Sequence, residues 1–181
     1  MARAPRPTQG GIYHVGIKSP HGLPLFRDAE DRHVFVAVLA TSLVLERTRC
    51  LAFCLMTTHY HLLVDVPERR LPRFMKRLNW HYARAVNERI GGKGHVVGGR
   101  YFSVAVSDTE HLLAEYRYVV RNPVEAGLCD APEDWAWSSH RGSIGLEPQW
   151  GLVDDRLVVD AAGGAEALRA LCAVSDTERG V

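Results

Sequence analysis

Apolar and polar residues alternate along Gly11-Ile12-Tyr13-His14-Val15-Gly16-Ile17, a period of two that predicts a first strand. The turn formers between Pro20 and Pro24 read as a loop. Asp28 or Asp31 is placed to cap a helix running to about Arg47, with Val34, Phe35, Val38, Leu39, Ser42 and Leu45 on its buried side. Cys50 to Met56 and His59 to Val66 then read as strands. Thr57-Thr58 between them marks either a tight hairpin or a kink in one long strand. Pro72 suits the first turn of a second helix, in which Leu71, Phe74, Met75, Leu78, Tyr82, Ala85 and Val86 recur at three- and four-residue spacing. Tyr101 to Ser107 predicts another strand, and Asp108 or Thr109 caps a third helix through about Arg121. The order strand, helix, strand, strand, helix, strand, helix predicts an α+β fold. An antiparallel sheet would carry helices on one face and leave the other open.

At 181 residues and 46% hydrophobic content, the chain suits one domain that buries its core without disulfides. Three parts are expected: a disordered lead-in over 1–10, a main domain over 11–146 and an acidic extension over 147–181. No apolar run is long enough to span a membrane, and the N-terminus lacks the apolar centre of a signal peptide, so a cytoplasmic location is expected. Cys50 and Cys54 would share one strand face as buried small hydrophobes, and no Cys-x-x-Cys spacing suggests zinc.

The net charge of +1 hides an uneven distribution. Pro67 to Arg100 holds nine basic residues against two acidic ones, and Glu147 to the end holds seven acidic against three basic. A basic middle is the footprint expected for a polyanion partner, or else a solvated helix face. The glycine-rich stretch Gly91 to Arg100 is a flexible basic loop, because no Gly-Lys-Ser/Thr opens a helix as in a phosphate-binding loop.

Candidate chemistry starts at His59-Tyr60-His61. Strand alternation points the two imidazoles the same way, roughly 6–7 Å apart, with Leu62, Val64 and Val66 turned to the core. Such a pair is either incidental or half of a divalent-metal site. In the third helix Tyr118 and Asn122 lie four apart on one face, while Tyr116 lies about 200° away from Tyr118 and cannot serve the same site. Pro123 holds Asn122 to the last turn or just beyond it.

Taken together, this strand pair and the Tyr-x-x-x-Asn-Pro helix resemble the single-tyrosine HUH transposases, and more narrowly their REP-associated tyrosine transposase branch. The resemblance spans about residues 11 to 146. It is supported by Ile12-Tyr13-His14-Val15, Leu23-Pro24-Leu25-Phe26, Leu55-Met56, Phe74-Met75-Lys76-Arg77-Leu78, the run Tyr118 to Leu128, and Pro132 to Ser139. Two departures stand out. Thr57-Thr58 replaces the family's frequent Pro-Asn, and Lys18-Ser19-Pro20-His21 replaces an Arg-Gly type turn.

The resemblance implies a ferredoxin-like or RRM-like sheet with the histidine pair on a central strand. It implies a metal-dependent endonuclease and strand transferase acting on single-stranded DNA, with hairpin-bearing repeats as targets. Tyr118 would be the nucleophile, forming a 5′-phosphotyrosine link and freeing a 3′-hydroxyl. His59, His61 and Asn122 would hold one divalent cation, Mg2+ or Mn2+. Arg69, Arg73, Lys76, Arg77, Lys93 and Arg100 would follow the DNA backbone. The protein would act as a monomer or homodimer. Trp135 and Trp137 are expected to plug the C-terminal core.

Three rival readings fit the residues less well. A zinc hydrolase of the His-x-His-x-Asp-His type needs Asp at 63 and His at 64, where Leu63 and Val64 stand. A non-catalytic DNA-binding regulator would not need His59, His61, Tyr118 and Asn122 together. A replication or conjugation initiator carries added domains that 181 residues cannot hold.

Overall fold

The computed structural model describes residues 7–19, 22–92 and 97–173. The predicted lead-in therefore lies largely outside the described residues, as do Pro20-His21 and Lys93 in the basic loop.

Four antiparallel strands form one sheet in the order β2-β3-β1-β4: β1 (Gly11–Lys18), β2 (Arg49–Leu55), β3 (His59–Val66) and β4 (Phe102–Ala105). β3 is thus interior, between β2 and β1. The break at Thr57-Thr58 is a hairpin connection: Met56 N–H donates to the His59 carbonyl at 2.9 Å, and Leu55 pairs with Tyr60.

One sheet face carries Tyr13, Val15, Ile17, Tyr60, Leu62, Val64 and Val66, as strand alternation requires. Against it pack α1 (Ala29–Glu46) and α2 (Leu71–Ile90). Asp28 caps α1 by accepting from Asp31 N–H. The buried stripe of α1 runs Asp31, Phe35, Leu39, Ser42, Leu43 and Glu46. Leu45, expected inside, is 52% exposed, because this stripe turns Leu43 inward in its place. In α2 the predicted apolar face is buried at Leu71, Phe74, Met75, Leu78, Tyr82 and Val86.

The other face is not open along its whole width. Helix α3 (Thr109–Glu125) crosses it, and α5 (Arg156–Ala162) and α6 (Ala165–Ala173) pack alongside. Between them they bury Leu51, Ala52, Cys54, Leu63, Tyr116, Val120, Val158 and Leu168 in a second core. Residues 147–173 therefore join the main body: Cys50 bridges Val153, and Arg121 donates to the Cys172 carbonyl at 2.8 Å. Two short turns precede them, a 3-10 turn at Pro132–Asp134 and α4 (His140–Ser143). Trp135 donates to the Leu55 carbonyl at 3.1 Å and Trp137 packs on the first core, so both tryptophans are structural.

Sheet pairing corrects the reading of the cysteines. A register shift between Cys50 and Ala52 inverts the alternation, so Cys50 belongs to the first core and Cys54 to the second. Helix α3 also runs one turn past its expected end at Arg121. Pro123 forfeits only its own donation to the Val119 carbonyl, and Ala126 N–H still reaches Asn122 O at 3.0 Å.

Candidate active site

His59 and His61 leave β3 on the face that α3 crosses, with ring centres 5.1 Å apart. His61 is buried and His59 is half-buried. Asn122 arrives from the last turn of α3. Its Nδ2 donates to the Tyr118 carbonyl at 2.7 Å, and the residue lines the same cleft as both histidines.

Each histidine is already engaged through Nδ1. His59 Nδ1 lies 3.0 Å from Thr58 Oγ1, and His61 Nδ1 lies 2.8 Å from His14 Nε2. In both rings Nε2 is the nitrogen left for the cleft. Burial pushes the His61 imidazole down to about 3, with His14 and His59 adding to the effect, and burial lowers His59 as well. Both rings are therefore neutral at physiological pH and present lone pairs. Two imidazole nitrogens and an amide oxygen are a donor set suited to a divalent cation. Among the described residues no group of three His, Cys, Asp or Glu side chains converges on such a site, and Asn122 lines the cleft beside the two histidines.

Tyr118 sits one turn before Asn122 on the same face of α3, its ring 5.6 Å from His61 and 5.5 Å from His14, and it is 55% exposed. Tyr116 points away and is fully buried, its hydroxyl 2.9 Å from His140 Nδ1. His59, His61, Tyr118 and Asn122 all line one open cleft of about 720 Å3, together with His14, Lys18, Glu115 and Phe102.

Four of these residues escaped sequence reading: His14, Lys18, Phe102 and Glu115. The first two carried a signal. In an antiparallel pair Lys18 faces His59 and Gly16 faces His61, so the even positions of β1 share the histidine face. Gly16 is required there. A Cβ would collide with the Tyr60 carbonyl oxygen and come within 2.7 Å of the Phe102 ring.

The basic residues expected to hold DNA are not gathered at this cleft. α2 packs on the opposite sheet face, and most of its arginines meet carboxylates. Arg70, Arg73 and Arg77 surround the buried Glu46 at 3.2, 3.6 and 2.9 Å. Arg89 binds Asp28, Glu30 and Asp31, Arg84 binds Glu88, and Arg69 lies beside Glu68. Lys76 and Arg100 line a groove with the exposed indole of Trp80. Ile17 and Tyr101 line this groove while their neighbours Lys18 and Phe102 line the cleft, so the two depressions lie on opposite faces of the sheet.

With this geometry in place, residues 25–122, which are 98 of the 181, match the family described as IS200-like transposases. The chain belongs to that family. It is a DNA transposase, and the resemblance read from its motifs is borne out. No curated protein matches the chain. Among solved structures, the IS200-like chain is similar to a REP-associated tyrosine transposase bound to a REP hairpin. The TM-score is 0.68 at 17% identity, covering 86% of this chain and 93% of that one. At that identity the likeness establishes the shared fold. A crystal structure from Deinococcus radiodurans, described as a transposase, gives a TM-score of 0.47 at 20% identity, covering 67% of this chain and 97% of that one.

Proposed function

We propose that this transposase cuts and rejoins single-stranded DNA by transesterification, with Tyr118 as nucleophile. The observation that carries the proposal is convergence: an exposed phenol, two neutral imidazoles and an amide oxygen meet in one open cleft, from a rigid strand and a rigid helix. Rigid elements hold such groups within the narrow tolerance that in-line displacement demands.

In the forward step the Tyr118 oxygen attacks the scissile phosphorus. A bond forms between that oxygen and the 5′-phosphate, the bond from phosphorus to the 3′-oxygen breaks, and the phenolic proton is released as the leaving 3′-oxygen takes one up. Attack of a 3′-hydroxyl on the phosphotyrosine reverses the sequence and reseals a strand. His59, His61 and Asn122 would hold one Mg2+ or Mn2+, whose Lewis acidity would polarise the phosphate. Lys18 in the cleft, and Lys76 and Arg100 in the groove on the other face of the sheet, are the cations we assign to following the backbone away from the reacting phosphate. The solved relative of the same fold is bound to a REP hairpin. A hairpin-bearing single strand is accordingly the substrate we assign, and the cytoplasm the compartment.

The test is a covalent one. Incubated with a hairpin-bearing single-stranded oligonucleotide and Mn2+ or Mg2+, the wild type should form an adduct that survives denaturing electrophoresis, and chelator should prevent it. Tyr118→Phe should give no adduct. An adduct that persists in Tyr118→Phe overturns the assignment.

A further inference from the structure

His14 is buried at 3% exposure on β1, diagonal to His61 across the sheet, and both of its ring nitrogens are engaged. Nδ1 lies 2.5 Å from Glu115 Oε2, and Nε2 lies 2.8 Å from His61 Nδ1. Phe102 stands edge-on to its ring at 5.0 Å, and Gly16 leaves room for that aromatic ring. Glu115 comes from α3, one turn before Tyr118, and its other oxygen lies 3.2 Å from His111 Nε2. The row Glu115, His14, His61 thus runs from the tyrosine helix through β1 to β3.

Hydrogen-bond bookkeeping gives this row a direction. An ionised carboxylate only accepts, so Glu115 must receive the proton on His14 Nδ1. With His14 held as its Nδ1–H tautomer, its Nε2 accepts, and the 2.8 Å contact is a donation from His61 Nδ1–H. That places the His61 lone pair on Nε2, facing the cleft. The opposite tautomer of His61 would put two lone pairs against each other and leave a proton on the cleft nitrogen.

We propose that Glu115 and His14 form a positioning relay that locks His61 as its Nδ1–H tautomer and so prepares Nε2 as a metal ligand. Their effect reaches the site through His61, in the way that carboxylate partners of metal-binding histidines fix ring orientation and basicity. The proposal rests on the metal-site reading above and adds a mechanism for how that site is held ready.

The experiment has two parts. In the metal-free wild type, nitrogen-15 NMR of the imidazole rings should show His61 protonated at Nδ1; protonation at Nε2 overturns the relay. Calorimetric titration with Mn2+ should then show His14→Leu weakened by about 10–100-fold. His14→Gln should keep most of the affinity, because its amide can accept from His61 and donate to Glu115. Wild-type Mn2+ affinity in a folded His14→Leu overturns the relay while leaving the metal site intact. If the wild type binds no Mn2+ at His59 and His61, the metal-site reading falls and the relay falls with it. The NMR measurement needs no variant and decides the tautomer even if His14→Leu does not fold.

Discussion

On one side of α3, Tyr116 is buried against β2, α5 and α6, with its hydroxyl on His140. On the other side, two residues along, Tyr118 stands 55% exposed over His14 and His61. The two side chains have the same chemistry and the same helix. Their difference is an angular one, about 200° of rotation per two residues, and it divides α3 into a packing face and a working face. Stability should depend on the first face and chemistry on the second.

The largest expected separation comes from truncating each tyrosine. Tyr116→Ala should cost about 3–5 kcal/mol in urea unfolding, from the emptied volume and the stranded His140 imidazole. Tyr118→Ala should change stability by less than about 0.5 kcal/mol and yet abolish the adduct. Comparable stability losses at the two positions would erase the distinction between faces.

Next is Gly16→Ala. The new methyl group has to push against the Tyr60 backbone and the Phe102 ring, so β1 must shift relative to β3. A loss of about 1–3 kcal/mol is expected, with a matching fall in cleavage because His14 moves away from His61. A variant with wild-type stability and cleavage would show that the close approach at Gly16 is not needed.

The packing face also has its own pH signature. Burial pushes His140 down to about 4, well below the ordinary histidine value near 6.5. Between those values the unfolded chain binds more protons than the folded one, so stability rises with pH there. It is complete above about 6.5 and is lost as pH falls toward 4, by about 1–2 kcal/mol at pH 5. His61, lowered in the same direction, adds to the slope. Urea midpoints at pH 7.5 and 5 should show the loss, and His140→Asn should reduce it. An unchanged slope in that variant would remove His140 from the account.

The smallest effect concerns the basic helix. Arg77→Ala breaks a 2.9 Å contact with buried Glu46, so it should cost about 1 kcal/mol of stability while changing oligonucleotide affinity little. Lys76→Ala should do the reverse. Equal losses of affinity in both variants would restore DNA contact to the whole helix face.

Local pattern reveals much of this molecule. Alternation in β1 and β3, the Asp28 and Asp108 caps, the stripe of α2 and the shared face of Tyr118 and Asn122 are all decided within a few residues of chain. Features set by distant partners were hidden. The bulge between Cys50 and Ala52 depends on pairing with β3, and it reverses the face of Cys50. The local excess of nine basic residues against two acidic ones suggests a free cationic surface. Its counter-charges, Asp28, Glu30, Asp31 and Glu46, come from α1 and the residue that caps it. His14 resembles any histidine in a strand until the β1–β3 register brings it to His61.

The central claim is that the covalent chemistry belongs to Tyr118 and not to Tyr116. Trypsin cleaves after Arg117, which puts the two tyrosines in different peptides. Mass spectrometry of the trypsin- and nuclease-digested adduct therefore tests the claim most directly. A phosphodeoxynucleotide mass is expected on the peptide Tyr118-Val119-Val120-Arg121. The same mass on the peptide that ends Tyr116-Arg117 would contradict it.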